Sequence, residues 1–187
     1  MQIYLVRHTT PAVAKGICYG QADIPINEQL FEEELRLIKS RISVKPEVFY
    51  SSPLKRCLHL AQELSLHVEE DDRLKELHFG DWELKKWDDL PADELQVWMD
   101  DFVNQALPHG ENYKALYDRT CSFLMNLLQQ PYERIAIITH AGNMRSIISW
   151  ALDLPLENSF RIALPYGAIV HLELHKNKQL NQLKFII

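Results

Sequence analysis

Two stretches of this chain share one grammar. Ile3-Tyr4-Leu5-Val6 is an apolar run that ends abruptly in Arg7-His8, and Arg134-Ile135-Ala136-Ile137-Ile138-Thr139 runs straight into His140-Ala141-Gly142. Short β-branched runs of this kind read as buried strands. In each, the chain leaves the core just where an ionisable side chain appears. Two such strands in one parallel sheet bring both imidazoles to its carboxyl edge, where open α/β sheets hold their active sites.

The remaining pattern agrees with such a sheet. The segment from Thr9 to Pro25 carries Pro11, Gly16, Gly20 and Pro25 and reads as a long, functional loop. Asn27 caps a charged helix to about Ser40, with Leu30, Leu35, Leu37 and Ile38 as its apolar positions and Glu32-Glu33-Glu34 as a solvated face. Glu47-Val48-Phe49-Tyr50 is a second strand; Ser52 then caps a helix with Pro53 at its first position. Residues 81–110 read as a helical insertion over the sheet edge. Helices over about 112–129 and 142–152 flank the His140 strand, and Ile169–Leu174 with Leu180–Ile187 alternate as a closing pair of strands. Strands interleaved with helices give an α/β fold with a mainly parallel sheet, in a single domain over residues 1–187.

Bulk properties narrow the function. A net charge of −6 offers no basic field for nucleic acid, yet leaves room for a local cation cluster that takes a phosphorylated small molecule. Cys18, Cys57 and Cys121 are an odd set without metal-ligand spacing, as expected of reduced thiols. The sequence opens on a strand, without an apolar leader, and no run approaches membrane-spanning length. The expectation is a cytoplasmic protein with no membrane partner, no metal and no cofactor.

Arg56 falls in the first turn of the helix after Ser52-Pro53, beside the apolar stripe Leu54, Cys57, Leu58, Ala61 and Leu64. A cation there opposes the helix dipole. A solvated surface arginine and an anion ligand fit that position equally well; an anion held at the helix start would remove the conflict. Three strand ends would then converge, gathering Arg7, His8, Arg56 and His140. Glu76, in Leu74-Lys75-Glu76-Leu77-His78-Phe79-Gly80-Asp81-Trp82-Glu83, has apolar and aromatic neighbours that would shield a carboxyl from water and suit it to proton transfer. Asp81 and Glu83 are rivals that spacing does not exclude.

Taken together, Arg7-His8-Thr9, Ser51-Ser52-Pro53-Leu54-Lys55-Arg56, the Glu76–Glu83 run, Gly110-Glu111 and His140-Ala141-Gly142-Asn143-Met144-Arg145 resemble, in order, the signature blocks of the histidine phosphatase superfamily. That resemblance implies a three-layer α/β/α, phosphoglycerate-mutase-like fold and a metal-independent phosphomonoesterase. It implies His8 as nucleophile, Glu76 as proton donor, and Arg7, Arg56, His140 and the N–H groups of Ala141 and Gly142 as phosphate ligands. Tyr19-Gly20-Gln21 and Phe79-Gly80-Asp81-Trp82-Glu83 are similar to bacterial members that dephosphorylate α-ribazole 5′-phosphate in cobalamin nucleotide-loop assembly. Tyr19, Gly20, Gln21 and Trp82 are therefore candidate substrate contacts. Thr9 stands where the family has glycine, the first block lacks the family's asparagine, and Ala141 replaces a more usual glycine. A broad sugar-phosphate phosphatase, a phosphoglycerate mutase and a silent phosphate-binding module are the other readings. The chain is short for a mutase, and a silent module would be expected to have lost His8 or Glu76.

Overall fold

Alternate residues of the first apolar run enter two different cores. Ile3 and Leu5 belong to one buried cluster and Tyr4 and Val6 to the other, as the twofold period of a strand requires. Ile135 and Ile137 divide from Ala136 and Ile138 in the same way. A strand covered on both faces has no polar side, hence the unbroken apolar runs.

The computed structural model describes residues 1–42 and 45–186. Its strands are β1 (Gln2–Arg7), β2 (Val48–Ser51), β3 (Val68–Glu70), β4 (Arg134–Thr139), β5 (Ile169–Glu173) and β6 (Gln182–Ile186). They form one mixed sheet in the order β3-β2-β4-β1-β5-β6, parallel from β3 to β1; β5 runs antiparallel to β1, and β6 antiparallel to β5. The closing strands are thus the antiparallel hairpin their alternation suggests. The helices are α1 (Glu28–Arg41), α2 (Lys55–Leu64), α3 (Ala92–Asp100), α4 (Tyr113–Leu127) and α5 (Ala141–Leu152). α1 and α2 cover the Tyr4 face; α4 and α5 cover the Ile3 face. Each buried Leu, Ile or Phe in these layers contributes about 1.5–3 kcal/mol. The result is the expected α/β fold with helices on both sides.

Register decides what meets at the carboxyl edge. Arg7 lies opposite Thr139, and Ile138 opposite Ser51. The residues that follow, His8, His140 and Ser52, therefore emerge side by side.

Several local expectations need correction. In α1, Leu30 and Leu37 are 43% and 42% exposed; the buried stripe is Phe31, Leu35 and Ile38, because only the i, i+4, i+7 positions face the sheet. Glu34 is not simply solvated, since its carboxylate accepts from the N–H and hydroxyl of Thr10 at 2.8 and 2.6 Å and ties down the first loop. Asn27 caps α1 as expected, accepting from the Gln29 N–H. Ser52 does not cap α2: the helix begins at Lys55, with Leu54 in the cap position.

The segment over residues 81–110 holds one nine-residue helix, α3, and is otherwise turns and single 3-10 turns at Gly80–Trp82 and Trp87–Asp89. Pro91 and Pro108 interrupt it. Gly80 adopts φ +57° where a Cβ would fall 1.9 Å from the Pro108 carbonyl. A separate apolar cluster that includes Leu77, Trp82, Leu90, Leu107 and Tyr113 holds the segment down. Among the described residues no helix is long and apolar enough to cross a membrane.

Candidate active site

His8 follows β1 directly and is almost fully buried. Its Nδ1 lies 2.7 Å from the Thr9 carbonyl, which can only accept, so Nδ1 carries the proton and Nε2 keeps its lone pair. Burial first, then the charges of Arg56 and Arg7, hold its pKa well below the usual histidine value. A neutral imidazole with a free Nε2 is the nucleophilic form. Thr9 is buried and is not among the described non-glycine residues with positive φ. This turn therefore makes no demand for glycine.

Arg56 is fully buried, which excludes the surface reading. Its guanidinium donates to the carbonyls of Ala22 (3.0 Å) and Gly20 (2.5 Å) and lies 5.3 Å from the Tyr19 ring centre. Arg7 donates to the Leu164 carbonyl and stacks under Tyr166, 4.1 Å from its ring centre. The hydroxyls of Tyr19 and Tyr166 meet at 2.6 Å, joining the first loop to the segment before β5. His140 is buried edge-on to His8, ring centres 5.1 Å apart. Its Nε2 shares a hydrogen bond with the Ser52 hydroxyl at 2.9 Å, and burial together with Arg56, His8 and Arg7 keeps it neutral.

The three carboxylates separate by environment. Glu76 accepts from the N–H of Leu77 at 2.9 Å and of Gly142 at 3.2 Å, and faces the same cavity as His8. Glu83 is spent on the first loop, accepting from the N–H groups of Gln21, Ala22 and Phe79. Asp81 pairs with exposed His109. Glu76 alone of the three is positioned for chemistry.

A cavity of about 290 Å³ opens above His8. Arg7, Glu76, Ala141 and Gly142 line it with His8, while Arg56 and His140 lie buried behind them. The Gly142 N–H engages Glu76, so it orients the carboxylate instead of standing free for an anion. Tyr19 lines the cavity; Gly20 and Gln21 frame it, the first by its carbonyl to Arg56 and the second by donating its amide to the Glu76 carbonyl. Trp82 is not at the cavity. It is buried in the cluster beneath residues 81–110, with its indole N–H on Glu94, and Trp87 lines the wall instead.

Sequence reasoning also missed Phe79, Tyr113, Phe160, Tyr166 and Arg145 as lining residues. Arg145 was detectable: one helical turn after Ala141, it shares that residue's face of α5. Its Nε–H donates to the Ile162 carbonyl and its guanidinium lies 4.9 Å from the Phe160 ring centre. Phe160 lies in a 3-10 helix, Leu156–Arg161, and Tyr166 in the turn before β5, neither with a local signal in the sequence.

Comparison with known proteins identifies the family. The sequence model of the Histidine phosphatase superfamily (branch 1) matches residues 3–185. The chain belongs to that superfamily and is a phosphatase. It is 27% identical over 176 residues to the adenosylcobalamin/alpha-ribazole phosphatase of Escherichia coli K12, covering 89% of this chain and 87% of that one. It is 23% identical over 189 residues to phosphoserine phosphatase 1 of Hydrogenobacter thermophilus, covering 95% and 89%. The crystal structure of the alpha-ribazole phosphatase from Shigella flexneri superposes with a TM-score of 0.88 at 25% identity, covering 100% of this chain and 96% of that one.

Proposed function

We propose that this phosphatase works through a phosphohistidine on His8 and that its substrate is α-ribazole 5′-phosphate. The observation that carries the mechanism is the hydrogen bond from His8 Nδ1–H to the Thr9 carbonyl, which directs the lone pair of a neutral ring to Nε2. In the first step Nε2 attacks phosphorus, the ester P–O bond breaks, and Glu76 gives its proton to the departing alkoxide. In the second, Glu76 takes a proton from water, the oxygen attacks phosphorus, and the P–N bond breaks to release phosphate. Neutral His8 and protonated Glu76 are restored. Arg7, Arg56 and His140 hold the phosphoryl oxygens, where this chemistry gains most of its stabilisation.

The substrate reading is supported by the aromatic wall of Tyr19, Phe79, Trp87 and Tyr166, which suits a flat heteroaromatic base, and by the two relatives of that name. Arg145 on the same wall favours a second reading, a carboxylate-bearing ester such as phosphoserine. The test is kcat/KM for α-ribazole 5′-phosphate, phosphoserine and p-nitrophenyl phosphate, with wild type and H8A. The expected result is the highest value for α-ribazole 5′-phosphate, an acid-labile phosphoenzyme in wild type, and a loss of about 10³-fold or more in H8A. Highest turnover of phosphoserine would transfer the substrate assignment. Equal rates in H8A would remove the nucleophile.

A further inference from the structure

The strand of chain that carries Glu76 has no sheet or helix to hold it. Residues 75–79 lie between two 3-10 turns, Asp72–Leu74 and Gly80–Trp82. Backbone carbonyls in such a segment need other partners. Here four successive carbonyls, from Arg73 to Glu76, all accept from side chains. Arg73 receives Arg119 and Asn143, Leu74 receives Thr139, Lys75 receives Arg119, and Glu76 receives Arg119 and Gln21.

Arg119 dominates this set. Two of its N–H groups form a fork on the Glu111 carboxylate, both at 2.9 Å. The other three reach the carbonyls of Arg73 (2.8 Å), Lys75 (2.6 Å) and Glu76 (2.8 Å). All five donors of the guanidinium are used, four residues wide, on the segment that ends in Glu76 and on the anion that fixes the fork. Glu111 in turn accepts from the N–H of His78 at 3.0 Å, gripping the segment on the far side of Glu76. Arg119 and Glu111 thus bracket the carboxylate on both sides without lining the cavity themselves.

We propose that Arg119, held by Glu111, is a positioning residue for proton transfer by Glu76. It sets the height of the acid's backbone, while the N–H groups of Leu77 and Gly142 set the direction of its carboxylate. A lysine at 119 offers three donors from one point and cannot span this set. The proposal rests on the reading of Glu76 as the proton donor to the leaving group.

That dependence dictates the experiment. With a series of substituted phenyl phosphates, kcat/KM reports the steps through leaving-group departure, and a poorly placed acid hurts basic leaving groups most. Wild type, E76Q, R119M and R119K are compared across the series from p-nitrophenyl to phenyl phosphate. In R119M, kcat/KM is expected to fall about 30-fold more on phenyl phosphate than on p-nitrophenyl phosphate, following E76Q in direction, with R119K no better than partly restored. A steeper leaving-group dependence in E76Q but a uniform loss in R119M would overturn the positioning role and leave Glu76 as the acid. An unchanged dependence in E76Q would overturn both readings. If R119M fails to fold, E111Q keeps the volume of Glu111 but loses the charged fork, and its leaving-group dependence decides the same question.

Discussion

The Nδ1–H of His8 donates to the carbonyl of Thr9 at 2.7 Å, so the residue that follows His8 fixes the tautomer of its ring. The partner is backbone, so the side chain at position 9 takes no part in the bond. A carbonyl also keeps no proton of its own, so the ring cannot reverse its two nitrogens without losing the bond.

Acidification should destabilise the fold through its two buried histidines. His8 and His140 titrate well below 6.5 when folded and near 6.5 when unfolded. Below pH 6.5 the unfolded chain therefore binds more protons, and stability falls by about 1.4 kcal/mol per pH unit for each histidine until its folded value is passed. Above 6.5 neither contributes a slope. Thermal melts between pH 8 and pH 5 should show Tm falling on the acid side, and less steeply in the H8N/H140N variant. An equal slope in that variant would assign the acid sensitivity to other groups.

Activity should persist on the acid side for the same reason. With His8 already neutral above its lowered pKa, kcat/KM for p-nitrophenyl phosphate is expected to show no acid limb near 6.5. A limb at that position would mean an imidazole titrating as if in water.

Ser52→Ala should act on His140. The Ser52 hydroxyl is the hydrogen-bond partner of His140 Nε2 in a fully buried pair. Its loss should cost about 1 to 3 kcal/mol in denaturant unfolding and lower kcat/KM about tenfold. Loss of stability with unchanged kinetics would show that His140 holds its place without this bond.

Gly142→Ala should separate activity from stability. A Cβ there would fall 2.2 Å from Glu76 Oε1 and 2.7 Å from Leu116 Cδ2. The leucine can turn aside, but the carboxylate must leave its place. The helix itself favours alanine, so Tm should hold while kcat/KM falls about 10- to 100-fold. Full activity would mean that Glu76 works from more than one position.

Tyr166 should contribute through its ring. Its face lies 4.1 Å from the Arg7 guanidinium, a contact worth about 0.5 to 2 kcal/mol. Y166A is expected to weaken inhibition by inorganic phosphate about tenfold. Y166F, which loses only the hydroxyl bond to Tyr19, should have the smaller effect.

How much of this was legible beforehand differs from residue to residue. Asn27, the cap of α1, is a local device and is visible as such, and the helix expected from about residue 112 is the one that Asn112 caps. Leu30 and Leu37 mislead because hydrophobicity marks what can be buried, and only the angle to the sheet decides what is. Ser52 has the sequence environment of a helix cap, yet a histidine eighty-eight positions away takes its hydroxyl. Trp82 and Trp87 look alike in sequence. One fills the cluster beneath residues 81–110 and the other faces the cavity, a choice made by turns around Gly80 and Pro91 that no periodicity encodes.

Sequence alone specified β1, β2 and β4 with the ionisable residues after β1 and β4, because burial on two faces leaves a continuous signature along the chain. It also specified the alternation of β5 and β6; β3, three residues long and not buried, leaves no such signature. The sequence also carried the blocks that mark the family. Only the tertiary structure decided which carboxylate faces His8, which tryptophan lines the wall, and that Arg56 is buried. Those outcomes depend on partners far apart in sequence: Gly20 and Ala22 for Arg56, Gly142 for Glu76. A hydrogen bond between distant residues leaves no period in either segment, so it can be seen only once the sheet has brought them together.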